Sequence, residues 1–432
     1  MLHLKEKLLK SNGGFKGIGN LLSVEEIKTE HCTEWNILKE NVSLPTASLS
    51  ESILKHNQLW MQKFSEKFEF QLAPHGKTTM LPDIFKLQVS SGCWGITLAT
   101  AHQVAVAFKS GVKRTILANQ LVGNCNMDII SSILHADPDF EFICVVDSVR
   151  NVAQLGKFFS ERNQKIKVLL EYGPVGGRTG IRNEAQETSV VKELQMWNDT
   201  ISLVGIEFFE GILKEEKEIR EFIRWTLSRI ESLVNLKAFS STNVIITGAG
   251  TSWFDVVAEE FQKFEQTFSA GTLQKILRSG CYLIYDIGLY EKVEKRVLEM
   301  KLGRENQFSI LNETLKPSLK IWAYVHSIPE SDLAIIGMGR RDVATDSGYP
   351  VPYLHFRPGN SSDSICKVND LWKIFHMMDQ HAYMRINKTD DIQVGDILSF
   401  DIYHPCTTMD KWKNVLLIDD DFNVIDVLNS GF

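Results

Sequence analysis

Phe70-Gln71-Leu72-Ala73-Pro74-His75-Gly76-Lys77-Thr78-Thr79 begins as a short β-rich apolar run and breaks at once into small and polar residues. The same design recurs seven times downstream, with apolar runs at 94–98, 115–118, 140–146, 167–171, 203–208, 244–247 and 282–285. Amphipathic stretches separate them. In one, Val149, Val152, Leu155 and Phe159 share a helix face through three-to-four spacing. Alternating strands and helices predict a parallel α/β domain. Eight such units in roughly 220 residues fit a (β/α)8 TIM-type barrel. Polar residues follow almost every run, at Pro74 to Thr79, Thr100, Asn119-Gln120, Asp147-Ser148, Tyr172 to Gly180, Phe209 to Gly211 and Gly248 to Thr251. In a barrel these points converge on the face where active sites form.

Beyond about residue 305 the helical pattern gives way to short alternating segments at 321–325, 397–402, 415–418 and 424–427, which predict a β domain. Gly395-Asp396 reads as a turn entering one of its strands. The expected division is an N-terminal extension over 1–45 packing on the β domain, a barrel over 46–304, and a C-terminal β domain with a metal site over 305–432. A chain of 432 residues exceeds the size at which single cores stop growing, so two domains are the natural expectation.

Composition narrows the partners. A formal charge of -7 argues against a general nucleic-acid binder, which needs a surplus of Lys and Arg. The first ten residues mix Lys5, Glu6, Lys7 and Lys10 with single leucines and offer no secretory core. No stretch has the ~20 apolar residues of a membrane span, and a cytoplasmic protein is expected. Seven scattered cysteines suit a reducing compartment, and six of them read as buried free thiols. Cys406 is the exception.

Four segments carry chemistry. Lys77 follows the first strand beside His75, and a desolvated lysine at a barrel mouth can form a Schiff base. Thr247-Gly248-Ala249-Gly250-Thr251-Ser252 lies between the seventh strand and a helix, where barrels often hold phosphate on backbone N–H groups. Its companion, Arg278-Ser279-Gly280-Cys281-Tyr282, reads as the approach to the eighth strand, with Gly280 and Tyr282 on the cofactor side. A glycine-dense loop from Glu171 and Tyr172 to Gly180 delivers Arg178. Finally, Tyr403-His404-Pro405-Cys406 ends an expected strand, and His404 and Cys406, two apart on extended chain, would face one ion.

In order along the chain, residues 73–80 (APHGKTTM), 95–100 (GITLAT), 117–122 (LANQLV), 146–148 (VDS), 337–342 (GMGRRD), 379–381 (DQH) and 404–408 (HPCTT) resemble the D-serine dehydratase and D-threonine aldolase group of alanine-racemase-like, fold type III enzymes. The resemblance implies a pyridoxal 5'-phosphate enzyme acting on a small D-amino acid. It matches Lys77 to the cofactor lysine, Arg178 to an arginine near the pyridoxal ring, Gly248 to Thr251 to the phosphate turn, and His404 with Cys406 to the metal pair. Tyr172 is counted with the cofactor-binding residues, and His75 and His381 with the catalytic ones. Members that eliminate water tend to carry His-x-Cys and zinc, whereas the aldolases tend to carry His-x-Asp. The thiolate favours Zn2+ on chemical grounds too. Gly76 and the run Phe208 to Gly211 point to a bacterial branch described as amino-acid deaminases.

The function implied is dehydration of D-serine or a related D-β-hydroxy amino acid to a 2-oxo acid and ammonia. Retro-aldol cleavage is the nearest alternative, and a non-catalytic carrier of the cofactor is a further one, disfavoured by the extra β domain. Gln120 and His381 are the candidates for reading the substrate carboxylate. The family implies a homodimer, with no nucleic acid or membrane partner.

Overall fold

The computed structural model describes residues 16–18, 35–265, 268 and 271–432. Strands β2 (Gln71–Leu72), β3 (Ile96–Leu98), β4 (Arg114–Gln120), β5 (Glu141–Val146), β6 (Ile166–Tyr172), β7 (Ile201–Phe208), β8 (Asn243–Gly248) and β9 (Thr272–Leu277) form one parallel sheet in the order β2-β9-β8-β7-β6-β5-β4-β3. The sheet closes on itself. Trp94 N–H donates to Leu72 O at 2.7 Å and Thr97 N–H to Pro74 O at 2.9 Å, joining β3 to β2. The result is the expected eight-stranded barrel.

Seven of the eight runs sit on these strands, but the eighth is displaced. Strand β9 is Thr272–Leu277, whereas Cys281–Leu283 is a 3-10 turn and Tyr285 has φ 68°. The run at 282–285 is apolar because it is buried between barrel and β domain, not because it is extended. Arg278 and Gly280 therefore follow the eighth strand and stand at the mouth.

Inside the barrel Ala73, Trp94, Ile116, Ile143, Val145, Leu169, Ile245 and Ile276 pack together. Outside, the helix Val149–Ser160 buries Val152, Leu155 and Phe159, while Val149 at its start is 40% exposed.

Strands β10 (Leu319–Glu330), β11 (Leu333–Ile336), β12 (Val351–Phe356), β13 (Cys366–Lys367), β14 (Lys373–Met377), β15 (Ala382–Arg385), β16 (Ile397–Asp401), β17 (Asn414–Ile418) and β18 (Val424–Asn429) build the second domain. With β1 (Thr46–Ser50) included, its main sheet runs β13-β12-β16-β10-β1-β17-β18, with β11, β15 and β14 as an arm from β10. Strand β1 (Thr46–Ser50) belongs to this sheet, between β10 and β17, although it opens the segment expected to be barrel. From β1 the chain crosses out of the β domain into the barrel through the helix Glu51–Phe68, capped by Ser50.

Of the N-terminal extension, Ile18, Trp35, Ile37, Leu38 and Val42 are buried against Trp322, Ile397, Leu416 and Val427 of the β domain. Residues 1–15 and 19–34 lie outside the described residues. No helix of the described residues is long and apolar enough to cross a membrane.

The thiols differ from expectation. Cys144 and Cys281 are buried, but Cys125 and Cys366 are exposed, and Cys93 and Cys406 are intermediate. Cys32 lies outside the described residues.

Candidate active site

The side-chain alternation of a strand turns the barrel interior into a site. Two residues beyond an inward apolar side chain comes an inward polar one: Ala73 then His75, Val145 then Asp147, Leu169 then Glu171, Ile245 then Thr247, Ile276 then Arg278. The mouth is thereby lined with ionisable groups above a dry plug.

Lys77 stands over this layer in the 3-10 turn Gly76–Thr78 and makes no hydrogen bond or ion pair with any described residue. The turn is fixed by His75 N–H to Arg278 O at 3.2 Å and Met80 N–H to Gly76 O at 2.9 Å. Gly76 is there for lack of space: a Cβ would meet Phe85 Cε1 at 2.6 Å and Ile96 Cγ2 at 2.7 Å. Gly76→Ala is expected to cost about 1–3 kcal/mol of stability in denaturant titration, as overpacking does, and to displace the neighbouring lysine.

His75 is held neutral, its pKa well below the usual histidine range, chiefly by burial and then by the charges of Lys77, Arg278 and Arg178. Its Nδ1 is buried without a partner among the described residues. Arg278 and Glu207 form a buried ion pair, and the same guanidinium nitrogen donates to Phe208 O at 3.0 Å. Thr247 Oγ1, Glu207 Oε2 and Arg278 Nε are likewise buried and unpaired.

The glycine-dense loop is tied down on three sides. Thr179 Oγ1 donates to Glu171 Oε1 at 2.5 Å, Gly180 N–H to Asp147 Oδ2 at 3.0 Å, and Arg182 donates to the carbonyls of Thr179 and Gly177. Arg178 projects from it and lies 4.5 Å over the Phe209 ring.

At the ends of β8 and β9 the backbone N–H groups of Thr251, Ser252, Ser279 and Gly280 donate to nothing among the described residues. Four free donors on two adjacent strand ends make an anion cradle. Gly250 is not one of them. Its N–H donates to Glu210 Oε1 at 3.2 Å, and that of Ala249 to Glu210 Oε2 at 3.1 Å, so this buried carboxylate shapes the turn. Ala249 sits at φ 68°.

The His-x-Cys pair arises differently from its expected origin. Pro405–Met409 is a single helical turn with Pro405 at its start, and His404 precedes it at φ 47°. The two side chains are brought together by this corner, not by an extended strand. Cys406 Sγ lies 3.2 Å from Thr78 Oγ1 and 3.7 Å from Cys281 Sγ. His404 Nδ1 bonds Asp346, whose other oxygen takes Thr407 Oγ1 at 3.3 Å. The Cys281 hydrogen bond, and then that of His404, hold the Cys406 thiol below the usual range, while the Cys281 thiol is pushed up. Among the described residues no group of three His, Cys, Asp or Glu side chains is placed to hold a metal ion. Since Thr78 adjoins Lys77, the lysine and the His404–Cys406 corner of one chain lie close to the same mouth.

Residues 318–418, nearly all of the β domain's core strands, match the family model described as "Putative serine dehydratase domain". A D-threonine aldolase from Arthrobacter sp is 22% identical over 367 residues, covering 82% of this chain and 89% of its own. Among solved structures, a D-threonine aldolase from Filomicrobium marinum gives a TM-score of 0.71 at 17% identity, over 90% of this chain and 95% of that one. D-threo-3-hydroxyaspartate dehydratase from Delftia sp. HT23 gives 0.68 at 15%, over 91% and 98%. The chain is thus similar, over most of its length, to enzymes of the D-serine dehydratase and D-threonine aldolase group. Its fold is that of the alanine-racemase-like enzymes, and its relatives are pyridoxal-phosphate-dependent lyases.

The mouth fits pyridoxal phosphate, the cofactor that the similarity implies. Lys77 is free to bond it, the four free N–H groups suit its phosphate, and the atoms of His75, Thr247, Glu207 and Arg278 that lack a partner among the described residues are polar groups that a bound ring could satisfy.

Other expected residues stand elsewhere. Tyr172 points outward, its hydroxyl donating to Glu187 Oε2 at 2.6 Å. Tyr282 also turns away, toward Gln88 at 3.5 Å. Tyr172 is out of phase with the inward positions of its strand, whereas Tyr282 lies in the 3-10 turn after β9 with its hydroxyl buried against Gln88. His381 is exposed in the β14–β15 turn, and its imidazole has no hydrogen-bond partner among the described residues. Gln120 does reach the mouth, where its amide N–H donates to Glu171 Oε2.

Glu171, Glu207, Glu210 and Cys281 are the site residues that motif reading missed. Three of them announce themselves by an acidic side chain within or just after a barrel strand. Burial, and then the charge of Glu207, raise the Glu171 pKa to about 7. A carboxyl raised in the folded state destabilises it as pH climbs from the unfolded pKa through the folded one. Glu171→Gln is expected to remove up to about 3 kcal/mol of the stability lost between pH 5 and 8, read from urea titrations at both pH values.

Proposed function

We propose that this protein is a pyridoxal-phosphate- and zinc-dependent dehydratase of D-serine or a closely related small D-β-hydroxy amino acid, releasing a 2-oxo acid and ammonia. The observation that carries the reading is the 3.2 Å approach of Cys406 Sγ to Thr78, the residue after Lys77. It supports a proton-moving amine and a metal-binding thiolate acting on one small molecule.

Bound at Lys77, the cofactor supplies an electron sink for a carbanion at the substrate α-carbon. With the cofactor in place, Lys77 Nζ, which has no hydrogen-bond or ion-pair partner among the described residues, would stand where it can take and return the proton of the substrate α-carbon. His75, held neutral, leaves its unpartnered Nδ1 to hydrogen-bond a bound molecule without placing a standing positive charge beside Lys77. Arg178, fixed by the Thr179, Gly180 and Arg182 contacts of its loop, offers a cation to the anionic parts of cofactor or substrate. His404 and Cys406 would hold zinc, whose Lewis acidity makes the β-hydroxyl a competent leaving group at neutral pH.

The aldolases among the relatives favour a second reading, in which the same site breaks the Cα–Cβ bond and yields glycine and an aldehyde. Products separate the two. With D-serine, D-threonine and D-threo-3-hydroxyaspartate as substrates, the dehydratase gives 2-oxo acid and ammonia in equal amounts, and a chelator lowers that rate by about 10²-fold or more while added zinc restores it. Aldehyde and glycine as the main products, from any of the three, would overturn the proposal. A homodimer in the cytoplasm remains part of this reading, supported by the resemblance of the chain to its group.

A further inference from the structure

We propose that Phe209 is a positioning residue, whose ring face stations the Arg178 guanidinium at the barrel mouth and leaves its N–H groups free for an oxyanion of cofactor or substrate. The proposal rests on the cofactor-dependent reading above and deepens it by naming the group that aims its arginine.

Arg178 carries a long side chain on a fixed backbone. Its loop is pinned at Thr179, Gly180 and Arg182, but the guanidinium itself makes no hydrogen bond or ion pair with any described residue. What it has is the Phe209 ring, with Arg178 Cζ 4.5 Å from the centroid, inside the ~6 Å reach of a cation–π contact. The kind of contact matters. A carboxylate partner would consume the N–H donors and cancel the charge, whereas an aromatic face holds the planar guanidinium and leaves both donors and charge for a ligand. Restricting the rotamers before the ligand arrives also lowers the entropic cost of binding.

The ring is held in turn by the strand end that carries it. Phe209 directly follows β7, and two glycines make room for it: a Cβ at Gly211 would come within 2.6 Å of its Cζ, and one at Gly250 within 2.9 Å of its Cε2. Gly250 belongs to the turn whose next residues, Thr251 and Ser252, present free N–H groups. The adjoining Glu210 fixes that turn by accepting the Ala249 and Gly250 N–H groups. Ile212 meets the arginine loop a second time, since a Cβ at Gly177 would lie 2.6 Å from its Cδ1. Residues 209–212 therefore tie the arginine loop and the anion cradle to one strand end.

Although the Arg178 side chain is exposed, its charge acts on the mouth. It helps to depress the pKa of His75 and opposes the rise of the Glu207 pKa, and both of those groups line the mouth. From a guanidinium turned out into water that influence would be screened.

Titrating the apoprotein with pyridoxal phosphate, followed by absorbance, gives the cofactor dissociation constant without turnover. The KM is then read with whichever of D-serine, D-threonine and D-threo-3-hydroxyaspartate the holoenzyme converts. Wild type, Phe209→Leu, Arg178→Met and the double variant are compared. Phe209→Leu is expected to raise at least one of the two constants by about 3- to 10-fold: the cofactor constant where Arg178 meets the cofactor, KM alone where it meets the substrate carboxylate. In the Arg178→Met background the same substitution should change that constant less than about twofold, because its effect passes through the arginine. Phe209→Met, longer than leucine and likewise without a π face, should repeat the result and takes its place if the leucine variant does not fold. Both constants within about twofold of wild type would overturn the inference. So would an equal loss in the two backgrounds, which would make the ring a packing support of the Gly250 turn. A wild-type apoprotein that binds no pyridoxal phosphate would overturn the inference together with the reading beneath it.

Discussion

Lys77→Ala is expected to abolish covalent cofactor attachment and to lower turnover by about 10³-fold or more, with little change in stability. The catalytic loss follows from two roles that no neighbour can take over. Positioned proton transfer alone contributes some 10²–10⁴-fold, and covalent capture of the cofactor adds to it. His75 is neutral and the arginines of the mouth do not deprotonate, so the alanine variant has no second amine to recruit. The fold should be nearly indifferent, since Lys77 makes no hydrogen bond or ion pair with a described residue, and substitutions of that kind usually fall within ~0.5 kcal/mol. Reduction with borohydride followed by intact mass, an absorption spectrum and a urea titration read all three quantities. A variant that still attaches cofactor, or that turns over within tenfold of wild type, would remove Lys77 from the site.

The barrel was legible because its signal is repeated. Each of seven apolar runs is followed by polar residues, and any one could be misread without changing the count that defines the architecture. The eighth shows how such reading fails. Leu273, Lys275 and Leu277 alternate in a strand with Lys275 buried, while Tyr282, Leu283 and Ile284 are more apolar yet belong to a turn. Hydrophobicity reports burial, and at the junction of two domains a turn can be as buried as a strand. Strand β1 was hidden for the complementary reason. Its partners, β10 and β17, lie some 270 to 370 residues further on, and no local pattern reveals a pairing that distant.

In the site, the residues identified by motif were those whose chemistry is unusual for their setting. Lys77, Arg178, His404 and Cys406 all reach the mouth or its edge. Tyr172, Tyr282 and Gly250 stand beside motif residues, and for Tyr172 adjacency on a strand means the opposite face, while Tyr282 and Gly250 lie in turns whose geometry adjacency does not reveal. The phase of the alternation decides: Leu169 and Glu171 point inward, so Tyr172 cannot. The buried carboxylates were invisible to a motif reading for a physical reason. Glu207 and Glu210 are defined by partners far along the chain, Arg278 and the Ala249–Gly250 turn, and not by sequence neighbours.

Arg278→Met is expected to destabilise the protein by about 3–5 kcal/mol and to weaken cofactor binding at the same time. Arg278 and Glu207 are 4% and 3% exposed, and breaking a buried pair from one side strands the other charge without water. The Phe208 carbonyl also loses its 3.0 Å donor. The pH dependence gives the cause away. Burial already raises the Glu207 pKa, and Arg278 is the largest influence opposing that rise. Without Arg278 the carboxyl climbs further, and a carboxyl raised in the folded state costs stability as pH rises. The deficit of the variant against wild type should therefore be larger at pH 8 than at pH 5. Glu207→Gln in the Arg278→Met background removes the stranded charge and should recover part of the loss at pH 8 but little at pH 5. Urea titrations of the three proteins at both pH values test this. A deficit independent of pH, or a double variant no more stable than the single one, would mean that Arg278 supports the barrel through packing alone and that its pairing with Glu207 does not organise the mouth.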